Sequence, residues 1–317
     1  MRVLVTGGAG FVGSHVVRRF LRDTSAGSVD SVLVLDALTY AADPDRLAGE
    51  RVDGRLELRE GDVADPAAVR AAVQGCDLVV HLAAETHVDR SIRSAAAFVR
   101  TNVVGTQVVL DAVRDAGCRL LHVSTDEVYG PCEGGAFDEG APLRPRNPYA
   151  ASKAAAEHLV AASRDTYGLD AVVLRLSNVY GPDQDAEKLI PRMVHEVLAG
   201  RPVPLYGDGL QQRQWLHVAD AAAAVRLLAG AAAAGEVLNV GGADVLANLD
   251  VARRVLRLLG ADEGAVRHVA DRPGHDRRYA LDSSRVRQGH GWTPRVPFED
   301  GLAAAVSELA RRAPSEA

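Results

Sequence analysis

An apolar run, Arg2–Thr6, passes directly into Gly7-Gly8-Ala9-Gly10-Phe11-Val12-Gly13 and then into a helical pattern over residues 14–21. Few folds accommodate that order. A β-branched run without polar alternation reads as a strand buried on both faces, the habit of parallel sheets. Glycines at Gly7, Gly10 and Gly13 allow a tight turn and close backbone approach, the N-terminus of the helix that follows attracts an anion, and Phe11, Val12 and Gly13 are expected in the cofactor site. Similar runs recur at residues 31–35, 55–59, 77–82, 120–124 and 171–176, with helical patterns over 65–73, 95–116 and 149–167. Asp65 suits the N-cap of the first of these, with Pro66 as its first helical residue. This alternation predicts an α/β fold, a Rossmann-type doubly wound parallel sheet.

Past Ser177 the alternation stops. Prolines at 182, 191, 202 and 204 punctuate short segments. Helical patterns follow at 219–234, 248–260 and 298–311, with a short strand at 236–240 and a polar, irregular stretch at 271–279. We expect residues 1–176 to form the dinucleotide-binding domain with the catalytic residues. Residues 177–317 are expected to form a smaller substrate lobe, with some segments returning to the first domain.

Asp36 closes the second strand pattern, 23 residues past Gly13. A carboxylate there accepts from the adenosine ribose hydroxyls and repels a 2′-phosphate, so the expected cofactor is NAD rather than NADP. Asp62 and Val63, after the third strand, are expected beside the adenine. The alternative for the glycine motif is a purely structural turn.

Two of the 36 basic residues other than histidine are lysines, Lys153 and Lys188. Lys is a compact point charge where Arg is a planar fork, so retaining it suggests a task Arg cannot perform. Lys153 lies four residues after Tyr149, on the same helix face. An ammonium there is expected to lower the phenol pKa and make Tyr149 a base. Upstream, Ser124-Thr125-Asp126-Glu127-Val128-Tyr129-Gly130 ends an apolar strand with hydroxyls and two adjacent carboxylates. Ligands bind at the carboxyl ends of such strands. Simple hydride transfer needs no carboxylate pair, whereas an acid and a base together do further chemistry. The bland alternatives are a chance helical pair and a solvated acidic turn.

A net charge of −6 argues against nonspecific nucleic-acid binding. Cys76, Cys118 and Cys132 lack metal-ligand spacing, so reduced thiols and no metal site are expected. No secretory leader and no apolar stretch of ~18 residues is evident, which gives a cytoplasmic expectation with no membrane partner.

The chain resembles the extended short-chain dehydrogenase/reductase family, and within it the dTDP-glucose 4,6-dehydratases. The likeness spans almost the whole length. It rests on residues 6–15, His81-Leu82-Ala83-Ala84-Glu85-Thr86-His87-Val88-Asp89-Arg90-Ser91, the 124–130 run and Tyr149 to Lys153. It continues in Glu187-Lys188-Leu189-Ile190-Pro191, Arg213 with Trp215, and residues 270–279. The resemblance implies a nucleoside-diphosphate hexose as substrate and a 4-keto-6-deoxy sugar nucleotide as product, in deoxysugar biosynthesis. Tyr149, with Thr125 and Lys153, would take the C4 hydroxyl proton as hydride leaves C4. Glu127 would take the C5 proton and Asp126 would protonate the departing C6 hydroxyl. Ala83 would join the cofactor site. Glu85, Thr86 and His87 would line the sugar pocket, and Glu187 and Lys188 would approach the sugar and phosphates. Arg213, Asn248, His275 and Tyr279 would face the nucleoside diphosphate, and Asn178 would join the substrate site. The 95–116 and 149–167 helices resemble those that form a homodimer interface in this family. Val179, Asp183, Asp185 and Ala221 depart from its pattern, Val179 removing an amide and the two aspartates adding negative charge near the diphosphate. Alternatives are an epimerase or decarboxylase on the same scaffold, or a non-catalytic NAD-binding sensor.

Overall fold

A computed structural model of the chain describes residues 1–23, 27–50 and 54–312. The N-terminal half runs β1 (Arg2–Thr6), α1 (Phe11–Arg22), β2 (Ser31–Asp36), β3 (Leu56–Glu60), α2 (Pro66–Val73), β4 (Leu78–His81), α3 (Val88–Arg93), α4 (Ala96–Phe98), α5 (Gly105–Ala116), β5 (Arg119–Thr125), α6 (Pro148–Tyr167) and β6 (Ala171–Leu176). There follow β7 (Asn178–Tyr180), α7 (Leu189–Leu198), β8 (Val203–Tyr206), β9 (Gln212–His217), α8 (Val218–Ala231), β10 (Val237–Val240), β11 (Asp244–Ala247), α9 (Asn248–Leu258), β12 (Val266–Val269), α10 (Ser284–His290) and α11 (Phe298–Arg312).

Seven strands form one parallel sheet in the order β10-β6-β5-β4-β1-β2-β3. The chain starts in the middle, runs out to β3, then crosses back through β4 to the other edge. That reversal beside β1 opens the crevice in which doubly wound sheets bind ligands. Val3, Val5, Val32, Val34, Val80 and Leu121 pack on one face with α1 and α8, while Leu4, Leu33, Leu35, Val79 and Leu120 pack on the other with α2 and α5. Apolar side chains therefore point both ways from every central strand, which is why these strands lack polar alternation. A separate core of Trp215, Phe298, Val251, Val255, Ile190 and Met193 joins α7, α9 and α11 beside the small β11-β9-β7 sheet.

Gly7 and Gly13 are required by the turn. Gly7 has φ +72, and a Cβ on Gly13 would lie 2.0 Å from the Gly7 carbonyl oxygen. Asp65 caps α2 by accepting from the Ala67 N–H, ahead of Pro66. The expected single helix over 95–116 is instead interrupted by a π-helical turn, Val99–Val104, between α4 and α5. The strand pattern at 236–240 becomes β10, the edge of the main sheet, so the chain returns to that sheet after β6. No described helix is long and apolar enough to cross a membrane.

Candidate active site

A cavity of about 840 Å³ follows the carboxyl ends of the central strands. Its cofactor end is walled by Gly7, Gly10, Phe11, Val12, Gly13, Asp36, Asp62, Val63 and Ala83. The first N–H groups of α1 have no partner within the helix. Gly10, at the N-cap, adds no side-chain hydrogen bond, and the first turn carries no acidic residue. That cradle suits a pyrophosphate. Asp36 is buried, and its two oxygens accept from the Ala9 and Leu38 N–H groups, each at 2.9 Å. Burial pushes its pKa up, opposed by those two N–H groups and by Arg46. Remaining lone pairs can accept ribose hydroxyls, and a 2′-phosphate would meet a carboxylate. Asp62 accepts from the Ala64 N–H at 2.8 Å and pairs with Arg100, also on the wall. The site thus fits a dinucleotide with an unphosphorylated ribose.

β5 delivers Thr125 to the cavity. Its hydroxyl accepts from the Glu127 N–H at 3.3 Å and so starts a 3-10 turn, Asp126–Tyr129, that carries both carboxylates. All of Thr125, Asp126, Glu127, Tyr149 and Lys153 line the cavity and are at most 9% exposed. Asp126 Oδ1 accepts from Thr125 Oγ1 at 3.1 Å, while Oδ2 is buried without a protein partner. Burial, then the neighbouring Glu127 charge, push Asp126 up to about 7. At neutral pH it therefore holds a proton for much of the time. Lys153 Nζ donates to the Val123 carbonyl at 2.7 Å, and burial lowers its pKa to about 8.

The expected lowering of the Tyr149 pKa is reversed. Burial, and after it the charges of Glu127 and Asp126, push the phenol up, with only contact to Thr125 acting the other way. The four-residue spacing puts Lys153 on the right face, but its ammonium is spent on the β5 backbone.

At the substrate end, Glu85, Thr86, His87, Asn178, Glu187, Lys188, Arg213, Asn248 and His275 line the cavity. His87 Nδ1, Asn178 Oδ1, Arg213 Nη2 and Asn248 Oδ1 are buried polar atoms without a protein partner. Such atoms are costly to leave unpaired, and here they face a cavity able to hold a polar ligand. Lys188 Nζ donates to the carbonyl and hydroxyl oxygens of Thr86 at 3.1 and 3.3 Å. Glu187 is held by Arg90 at 2.6 Å and His87 at 3.3 Å.

Two expectations need correction here. Tyr279 does not line the cavity. It is buried behind Arg213, whose guanidinium lies over its ring, and donates to Asp276 Oδ2 at 2.7 Å. Asp183 adds no free charge near a diphosphate. It has φ +67 and pairs with Arg18 at 3.0 Å, Arg312 at 2.9 Å and His15 at 3.4 Å. Those partners hold its carboxyl well below the usual range, the His15 contact contributing most. Ala221 packs in the core under the sheet.

Some site residues escaped the sequence reading. Tyr40, in the loop after β2, donates to Glu85 Oε2 at 3.0 Å and stacks under Arg90. Asn102, in the π turn, holds the Glu85 N–H and carbonyl and donates to Ser152 Oγ at 2.8 Å. Asn147 donates to Glu127 Oε2 at 3.0 Å. Only Asn147 left a local signal, as an N-cap residue before proline.

A sequence profile of the GDP-mannose 4,6 dehydratase family matches residues 4–305. The chain is 51% identical over 308 residues to a dTDP-glucose 4,6-dehydratase of Streptomyces niveus, covering 96% of this chain and 92% of that one. It is similar to the crystal structure of DesIV, a dTDP-glucose 4,6-dehydratase of Streptomyces venezuelae with NAD and TDP bound. That likeness has a TM-score of 0.97 and 46% identity over 98% of each chain. A dTDP-glucose 4,6-dehydratase of Bacillus anthracis in complex with NAD superposes with a TM-score of 0.91 at 36% identity, covering 98% of this chain and 97% of that one. With a dinucleotide cradle, a Tyr-Lys pair and a buried acid pair along one cavity, the chain belongs to the dTDP-glucose 4,6-dehydratases of the extended short-chain dehydrogenase/reductase family.

Proposed function

We propose that the chain catalyses the NAD-dependent dehydration of dTDP-glucose to its 4-keto-6-deoxy sugar nucleotide, a step of deoxysugar biosynthesis. The carrying observation is the turn Asp126–Tyr129. It presents a buried carboxyl whose pKa is raised to about 7, so that it holds a proton for much of the time at neutral pH, beside a second carboxylate, in the cavity that also holds Tyr149 and Lys153.

Phe11, Val12 and Gly13 would cradle the pyrophosphate of NAD, Asp36 would take the adenosine ribose, and Lys153 the nicotinamide ribose. Among the protein's own groups Tyr149 favours the phenol; NAD, when bound, supplies a positive charge together with the two-electron acceptor for C4 and donor for C6. With that charge beside it Tyr149 would give its phenol proton to solvent, and the phenolate Oη would then take the C4 hydroxyl proton, with Thr125 hydrogen-bonding the same oxygen. The resulting ketone acidifies C5–H, and Glu127 removes that proton. Asp126 delivers its proton to the C6 oxygen, which departs as water. Glu127 finally returns a proton to C5. Arg213, Asn248 and His275 would hold the nucleoside diphosphate, and Glu85, Thr86, His87, Asn178, Glu187 and Lys188 would surround the hexose and phosphates.

We further propose residues 1–176 as the cofactor domain and 177–317 as mainly the substrate lobe, with α8 and β10 returned to the first. A homodimer through the region of α4, α5 and α6 is supported by Val99, Val104 and Tyr167, each about half exposed. Three buried free thiols support a cytoplasmic setting.

The test is incubation of the purified protein with a panel of nucleotide hexoses. Loss of one water from dTDP-glucose is expected. Inversion at C4 or loss of carbon dioxide from a uronic acid, without dehydration, overturns the reading.

A further inference from the structure

Asn147 sits outside the cavity wall, yet its side chain joins two parts of the chemistry. Its backbone is extended, φ −133 and ψ 160, and it caps α6, the helix that carries Tyr149 and Lys153. Its Oδ1 accepts from the Ala150 N–H at 2.8 Å. An N–H can only donate, so this bond fixes the amide orientation and leaves Nδ2 as the outward group. Nδ2 donates to Glu127 Oε2 at 3.0 Å, the one hydrogen bond to that carboxylate among the described residues. The residue is 5% exposed, so water does not compete freely for either bond.

A cap alone would not need an amide. Ser and Asp cap helices as well as Asn does. Asp offers no donor when ionised, and Ser ends one bond short of the Nδ2 position. Only the amide both accepts from the helix and donates to the carboxylate. With Oε2 tied back, Oε1 is the oxygen left to meet substrate. The tie also sets the spacing between Glu127 and Tyr149, two residues along the same helix turn. The other charged or titratable groups acting on Glu127 are Asp126, Tyr149, Lys188, Arg213 and Tyr279. None of these donates a hydrogen bond to its carboxylate.

We propose that Asn147 is the positioning residue of the C5 proton transfer, aiming Glu127 Oε1 at the substrate while capping the helix of Tyr149. This rests on the dehydration reading above.

Asn147→Ser and Asn147→Asp test it, since both keep the cap and neither places a donor at the Nδ2 position. With dTDP-glucose, a single turnover shows the reduced-nicotinamide absorbance rising at C4 oxidation and decaying after C5 deprotonation and water loss. In both variants the rise is expected within about threefold of wild type. The decay is expected to slow about tenfold or more, the size of one lost hydrogen bond to a charged group. Substrate deuterated at C5 should show a larger isotope effect on turnover. Rise and decay slowing equally, or decay and isotope effect both matching wild type, overturns the proposal while the dehydration reading stands. Failure of the wild type to release water overturns both, and it is seen before any variant is made.

Discussion

Arg213 lies across the face of Tyr279, its guanidinium carbon 4.4 Å from the ring centroid. The ring is fixed in turn by its hydroxyl bond to Asp276. A buried arginine with one Nη free of protein partners is thereby held with its fork toward the cavity. Arg forks suit pyrophosphate oxygens. Contacts to a diphosphate persist through every step, so they stabilise ground and transition states alike. Arg213→Ala should therefore raise KM for dTDP-glucose far more than it lowers kcat. Tyr279→Leu should raise KM about three- to thirtyfold by releasing the stacked guanidinium, while Tyr279→Phe keeps the ring and stays nearer wild type. Steady-state kinetics decide it, and an unchanged KM in Arg213→Ala would remove Arg213 from the substrate site.

Asp36 should set the cofactor. Its oxygens accept from the Ala9 and Leu38 N–H groups, and a 2′-phosphate at that position would meet this carboxylate. NAD is expected to copurify and NADP to give no turnover. Asp36→Ser should narrow the preference by about tenfold or more, the size of one removed like-charge contact. Titration of the purified protein with each dinucleotide, read by quenching of Trp215 and Trp292, measures this without turnover. Equal affinity of the wild type for both dinucleotides counts against the assignment.

Asp126 should make stability depend on pH. Its carboxyl is raised to about 7 in the folded chain, from an ordinary value near 4 when unfolded. Between those values the folded state binds more protons than the unfolded one, so this group's contribution to stability falls as pH rises from about 4 to about 7. Asn cannot titrate. Asp126→Asn should gain stability over wild type across that window, by up to a few kcal/mol at pH 8 and little at pH 4. Urea midpoints at both pH values test it. A difference independent of pH would mean that Asp126 ionises normally in its buried place.

The central sheet was legible because strands covered on both sides must be apolar through their centres, and β1, β2 and β4 are. The lobe strands were not. β7, β8 and β12 are three or four residues long, and Pro204, Arg267 and His268 break any apolar pattern within them. Nor does the sequence mark the π turn at Val99–Val104, which Asn102 uses to reach Ser152. Spacing brought Tyr149 and Lys153 to one helix face but could not say where the ammonium would point, and it points at the Val123 carbonyl. Partners across the fold are likewise absent from local patterns. Arg175 interrupts the apolar run of β6 because Glu157 on α6 and the Tyr129 hydroxyl receive it at 2.6 and 2.5 Å. Asp183 reads as free negative charge until α1 and α11 bring their cations to it.

The two carboxylates should separate dehydration from oxidation. Were they a solvated turn, amide replacements would leave every step near wild type; both are instead buried, and Asp126 Oδ2 has no protein partner to spend its proton on. The C6 hydroxyl leaves poorly without a proton, so Asp126→Asn should slow water release by the ~10²–10⁴-fold typical of a lost general acid. In wild type the same step should weaken as pH rises above about 7 and empties Asp126 of its proton, and Asp126→Asn should lose that alkaline limb. Glu127→Gln should block exchange of the C5 proton. Both changes leave Tyr149 and Lys153 in place, so both variants should still build up reduced-nicotinamide absorbance in a single turnover with dTDP-glucose. Tyr149→Phe should lose that signal, because no other group replaces its Oη at the C4 hydroxyl. Dehydration at the wild-type rate in both Asp126→Asn and Glu127→Gln would strip the turn of its chemical role and leave only the fold and the cofactor site.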